Sequence, residues 1–231
     1  MTRRALVGLS ALVCSYALAQ EPIPPGLKGA EKLAALVQRV SQVQASAATL
    51  SAKFELRRSS HLLAAPSVSR GRFYYRGPDS VRWEYETPRS MTVVISGGVA
   101  ITYRPVEKRA ERVEVGRAQR RVFRFISASE PLEKLTQYFS FTFRDPGPSG
   151  NYTLELKPTS HQIKKRLQSV ELEIQRQTLL PVRIAYTEAD GDKTEYVFSD
   201  IEVNAKQPAD LYDLALPPDV EVVKIKVGSG E

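Results

Sequence analysis

Sulfur and imidazole are scarce in this chain: Cys14 is its only cysteine, and His61 and His161 are its only histidines. A lone cysteine excludes a disulfide framework and a zinc–thiolate site. Two histidines a hundred residues apart are thin material for metal or acid–base chemistry. The sequence also lacks a P-loop, a GxGxxG turn, an HExxH helix, a GxSxG elbow and any Cys/His pair. His161, beside Lys164, Lys165 and Arg166, reads as a loop residue, and Asn151-Tyr152-Thr153 reads as a strand start, not a glycosylation acceptor. Carboxylates are scattered, and no pair stands out as acid and base. These absences point away from an enzyme and imply no metal and no cofactor.

What is present begins with an address. Arg3 and Arg4 precede an apolar run over residues 5–19, and Ala17-Leu18-Ala19 supplies the small-x-small pattern of a cleavage site. The run is about fifteen residues, short of the ~20 needed for a spanning helix. Residues 1–19 are therefore expected to be a cleaved signal peptide, 20–30 a flexible tether, and 31–227 a single domain, exported and monomeric. The chain carries 33 Lys+Arg against 26 Asp+Glu; removal of Arg3 and Arg4 leaves 31 against 26, a net charge of +5. Export makes nucleic acid an implausible partner for that charge.

With 42% hydrophobic residues and 26% charged, the chain has material for a core. Leu33, Leu36, Val37, Val40, Val43, Ala47 and Leu50 recur at helical spacing and predict one amphipathic helix. Period-two alternation then takes over, first in Ala52/Phe54/Leu56, Phe73/Tyr75, Val81/Trp83/Tyr85, Met91/Val93/Ile95 and Val99/Ile101/Tyr103. It resumes in Phe139/Phe141/Phe143, Tyr152/Leu154/Leu156, Val170/Leu172/Ile174, Val182/Ile184/Tyr186 and Tyr196/Phe198. Gly97-Gly98 and Asp190-Gly191 mark hairpins. Strands so evenly spaced predict one antiparallel meander, curled or closed. Two short helices are expected to interrupt it, over residues 117–126 and 130–139, and to lie on an apolar surface.

Residues 71–85, with the order Gly71-Arg72-Phe73-Tyr74-Tyr75-Arg76-Gly77-Pro78 and then Val81-Arg82-Trp83-Glu84-Tyr85, run on through Pro88, Val93, Gly97 and Tyr103-Arg104-Pro105. Leu154 to Pro158, Asp190-Gly191, Leu211-Tyr212, Pro217 and Val220-Glu221-Val222 follow in order. This pattern resembles the LolA family of periplasmic outer-membrane lipoprotein carriers, over roughly residues 31–223. The resemblance implies an α+β fold: a half-open antiparallel β-barrel of about eleven strands, with helices covering its mouth as a lid. It implies a cavity for acyl chains lined by Leu50, Phe54, Phe73, Tyr75, Val81, Trp83, Tyr85, Val93, Ile95, Ile101 and Tyr103. Val122, Phe125, Ile126, Leu132 and Leu135 would face it from the lid. Where the family places a lid-fastening arginine before the turn proline, this chain has Gly77, with Arg76 one step earlier and so turned to the other face. Val81 replaces a bulky aromatic.

The implied partners are an acylated lipoprotein or other lipid as cargo, an inner-membrane ABC transporter as donor and an outer-membrane acceptor. The alternatives are a carrier of a glycolipid or polyene lipid, and a periplasmic lipid-sensing regulator. Residues 104–124 hold eight basic and three acidic residues, the whole of the mature excess. Arg117, Arg120, Arg121 and Arg124, on one face of the expected helix, suit transient contact with an acidic partner or anionic headgroups.

Overall fold

A computed structural model describes residues 23–24, 26–114, 132–147 and 149–225. The first element is helix α1 (Gly29–Ser46), which buries Leu36, Val37, Val40 and Val43 along one stripe. Two antiparallel meanders follow. The first comprises β1 (Thr49–Ser59), β2 (Ser67–Arg76), β3 (Ser80–Thr87), β4 (Met91–Ser96), β5 (Val99–Arg104) and β6 (Arg109–Glu114). The second comprises β7 (Phe139–Arg144), β8 (Tyr152–Pro158), β9 (Leu167–Ile174), β10 (Pro181–Glu188) and β11 (Lys193–Val203). Two helical turns, α2 (Leu132–Leu135) and α3 (His161–Lys164), precede β7 and β9.

The pairing of β1 with β11 welds the meanders into one sheet, in the order β12-β6-β5-β4-β3-β2-β1-β11-β10-β9-β8-β7. Here β12 (Glu221–Ile225) runs parallel to β6; every other pairing is antiparallel. The sheet does not close, and its edges are β7 and β12. Among the described residues the fold is thus a large open sheet with few helices, and the strands number twelve where about eleven were expected.

One face of the sheet, here the inner face, carries the core together with α1. Leu36, Val40 and Val43 share a single buried cluster with Phe54, Phe73, Trp83, Leu154, Ile184 and Phe198. Gly71 shows how tightly the strands meet. A Cβ built on it would lie 1.8 Å from the Glu84 carbonyl oxygen on β3, so no side chain fits without moving backbone. The helix expected over 130–139 is realised only as α2, since Phe139 already begins β7. That stretch is too short to hold a longer helix and also reach the sheet edge in register. The helix expected over 117–126 lies outside the described residues, as do residues 1–19, expected as a signal peptide, and residues 20–22 and 25 of the expected tether.

Candidate functional site

The inner face is built around the chain's only tryptophan. The Trp83 ring lies 4.5 Å from that of Phe73, 4.9 Å from Phe54, 5.1 Å from Tyr196 and 6.1 Å from Phe198, centroid to centroid. Trp83 stands on β3 and Tyr196 on β11, three positions away in the sheet. In a flat sheet their backbones would be about 14 Å apart. Curling of the sheet and inward lean of the rings close that distance, making the inner face a trough.

Of the eleven side chains expected to line a cavity, nine share this face. Cross-strand partners share a face, and the register pairs Leu50 with Tyr75, Tyr75 with Val81, Val81 with Ile95, and Trp83 with Phe73 and Val93. Phe54 and Tyr85 oppose Gly71 from either side, and their rings meet at 5.1 Å. Phe54, Phe73, Val81, Trp83 and Ile95 are buried; Leu50, Tyr75, Tyr85 and Val93 are half-buried against them.

Ile101 and Tyr103 do not belong to the group. Ser96 pairs with Val99 around the two-residue Gly97-Gly98 turn, so Ile95 pairs with Ala100 and Val93 with Thr102. An even-length turn makes odd-numbered residues of β4 face even-numbered residues of β5. Ile101 and Tyr103 therefore point to the outer face, opposite Val94 and Thr92. There Ile101, Val94, Arg112 and Tyr212 line a separate groove of about 270 Å³.

The second half of the trough went unnamed in the sequence. Leu154, Leu156, Val170, Leu172, Ile184, Tyr196 and Phe198 continue the inner face without a break. Their alternation marked each strand as two-faced, but which face is inner follows only from the β1–β11 pairing. Two polar groups sit among them: Tyr85 and Tyr196 hydrogen-bond through their hydroxyls, and burial pushes both above the usual phenol range.

The cover over the trough is α1. Leu132 and Leu135, expected in a lid, are buried and pack in the same cluster. The Leu132 amide donates to Gln44 Oε1 at 3.1 Å, and the Glu133 amide to Ser41 Oγ at 3.2 Å, tying α2 to α1. At its other end α1 is held by Lys32, whose ammonium pairs with Asp145, itself bonded by Arg176 and by the Gly147 amide. The chain leaving α1 is pinned by Asn204, which donates to the Ser46 carbonyl at 3.1 Å and accepts from the Ala48 amide at 2.7 Å. Val122, Phe125 and Ile126, with Arg117, Arg120, Arg121 and Arg124, lie outside the described residues.

Arg76 has no part in this cover. Its guanidinium sits 4.4 Å over the Tyr212 ring and donates to the Ala209 carbonyl at 3.2 Å. With Arg82, which donates to the Leu211 carbonyl at 2.9 Å, it straps residues 205–217 onto the outer face. The Tyr212 hydroxyl donates to Gln207 at 2.9 Å, and burial raises its pKa above the usual phenol range.

Among the described residues no cluster of three or more His, Cys, Asp or Glu could hold a metal ion, and no helix is long and apolar enough to cross a membrane. The site is an apolar sheet face packed against the apolar stripe of α1.

Residues 45–215 match the family described as "Outer membrane lipoprotein carrier protein LolA". Solved structures of similar fold include an uncharacterized conserved protein from Thermus thermophilus, with 12% identity, covering 84% of this chain and 99% of that one, at a TM-score of 0.54. MucB matches with 14% identity over 81% of this chain and 64% of its own length, at a TM-score of 0.52. The LolA superfamily protein NE2245 from Nitrosomonas europaea is more distant, with 11% identity over 78% of this chain and 96% of that one, at a TM-score of 0.40. No curated protein matches the sequence. With the family match covering β1 to β11 and most of the outer strap, the chain belongs to the LolA family.

Proposed function

We propose that this protein is an exported, non-enzymatic carrier that shields the acyl chains of lipoproteins in its trough, in the place that α1 otherwise fills. Cargo would come from an inner-membrane ABC transporter and pass to an outer-membrane acceptor. The observation that carries the reading is the pairing of an unbroken apolar face with a cover held mainly by apolar contact. A chain of about sixteen carbons resists entry into water by roughly 12 kcal/mol, at about 0.8 kcal/mol per methylene. Exposing the four buried aliphatic residues of α1 costs about 6–12 kcal/mol, at about 1.5–3 kcal/mol each. A bound acyl chain would take the place of α1 against the sheet, one apolar surface exchanged for another. Per acyl chain the two quantities are of the same order, so displacing α1 offsets part of what capture gains and favours delivery.

Trp83 provides the test. A triacylated peptide with bromine-labelled chains is expected to quench Trp83 emission in proportion to occupancy, since the ring lies at the centre of the trough. Unchanged emission at saturating peptide would refute the reading. Mass spectrometry of what co-purifies from the native periplasm then separates cargo classes: triacylated polypeptide supports the lipoprotein, and free glycolipid or polyene lipid replaces it.

A further inference from the structure

The two most exposed large hydrophobic side chains among the described residues are Val106, 85% exposed, and Leu62, 81%. Both occupy turns at one end of the sheet, the β5–β6 turn and the β1–β2 turn. The β1–β2 turn is the more unusual. Leu62, 47%-exposed Leu63, Ala64, Ala65 and Pro66 form an uninterrupted exposed apolar run. Such a run is avoided on a surface that meets only water. The run is also ordered: the Leu63 amide donates to the Ser60 carbonyl at 3.0 Å, and the Leu62 amide to Ser60 Oγ at 3.2 Å.

Cations ring its base. Arg58 and Lys193 face neighbouring positions of β1 and β11, both exposed and neither in an ion pair among the described residues. Arg57 and Arg70 share the single carboxylate of Glu55. On the adjoining turn Lys164, Lys165 and Arg166 are exposed, and the Arg166 carbonyl accepts from the Ala189 amide of the β10–β11 hairpin at 3.1 Å. Asp192 answers part of this charge, its carboxylate 3.3 Å from His61 Nδ1.

We propose that this end of the molecule docks on an anionic bilayer, with Leu62 and Leu63 entering the headgroup–acyl boundary and the surrounding cations resting on the headgroups. A protruding tip with a collar of positive charge fits a soft anionic interface, whereas a protein partner would have to supply a matching pocket. The docking surface is separate from the trough and stands whether or not the trough carries lipid.

The test places an environment-sensitive fluorophore on Leu62→Cys in a Cys14→Ser background of the full chain, with Val197→Cys, on β11, as the control site. Vesicles of phosphatidylglycerol and phosphatidylethanolamine are expected to blue-shift the probe at position 62 and leave position 197 unchanged, with the shift lost in high salt or on pure phosphatidylcholine. Leu62→Asp with Leu63→Asp should weaken flotation with anionic vesicles about ten- to hundredfold, and each of Arg58→Glu and Lys193→Glu about fivefold or more. Unchanged Trp83 quenching in these variants shows that the fold and acyl capture persist. A probe at position 62 silent on anionic vesicles, or shifted only by a purified acceptor protein, overturns the proposal.

Discussion

Asp145 illustrates how one residue holds a large element in place. A lysine in the first turn of a helix sits at the positive end of its dipole, where a cation is disfavoured. Asp145 answers the charge of Lys32, and the carboxylate is completed by Arg176 and the Gly147 amide. Lys32 first, then Arg176 and Gly147, hold its pKa well below the usual carboxylate range. The unfolded chain therefore binds this proton at a higher pH than the native protein does. Its stabilisation is complete above the ordinary aspartate pKa, near 4, and is lost as pH falls towards the depressed folded value. Asp145→Asn should cost about 1–3 kcal/mol at neutral pH and flatten the pH dependence of Tm between about pH 5 and 2. Parallel wild-type and variant curves would contradict this. The same scale settles Arg76: it stands one step before Gly77, and that step turns its side chain to the outer face, where it meets Tyr212.

At the scale of elements, β2 and β3 meet at a point that leaves no room for a side chain. Gly71 lies between Phe54 and Tyr85 in the register, beside a bulge at Arg70, and its missing side chain lets the two rings meet above it. Gly71→Ala would push a methyl group into the Glu84 carbonyl and force the strands apart. The expected loss is about 1–3 kcal/mol, or several degrees in Tm, together with a changed near-ultraviolet signal from Trp83. An unaltered melt would mean that the bulge absorbs the methyl group freely. Helix α1 was legible in sequence because its stripe repeats at helical period. α2 was misjudged because Leu132, Leu135 and Phe139 satisfy the same period although the last of them is a strand residue. β6 and β12 were absent from the strand reading, β6 being rich in charged residues and β12 showing little alternation.

Among the described residues the molecule is a trough covered by α1, and the cover's behaviour is the prediction at this scale. Saturation with a triacylated peptide should speed hydrogen exchange of α1 amides between Leu36 and Val43 at least tenfold. Amides of β1–β3 should keep their protection, because the sheet is tied by backbone pairing and α1 by side chains. Retained protection of α1 in the saturated protein would mean that cargo lies elsewhere. Charge is distributed to the same plan: the exposed apolar tips and the cations Arg58 and Lys193 share one end of the strands, while the Lys32–Asp145–Arg176 tie lies near the other.

Local patterning was enough to determine the succession of one helix and many strands and the alternation that gives each strand an apolar side, because these depend on residues a few positions apart. Arrangement across the chain was decided by the tertiary structure. An even-length turn turned Ile101 and Tyr103 outward, the β1–β11 weld assigned the second meander's apolar side to the trough, and α1 became the cover. The first rests on the register of one hairpin, the second on backbone pairing between distant segments and the third on side-chain packing, while a strand's own period of two is the same whichever face it buries.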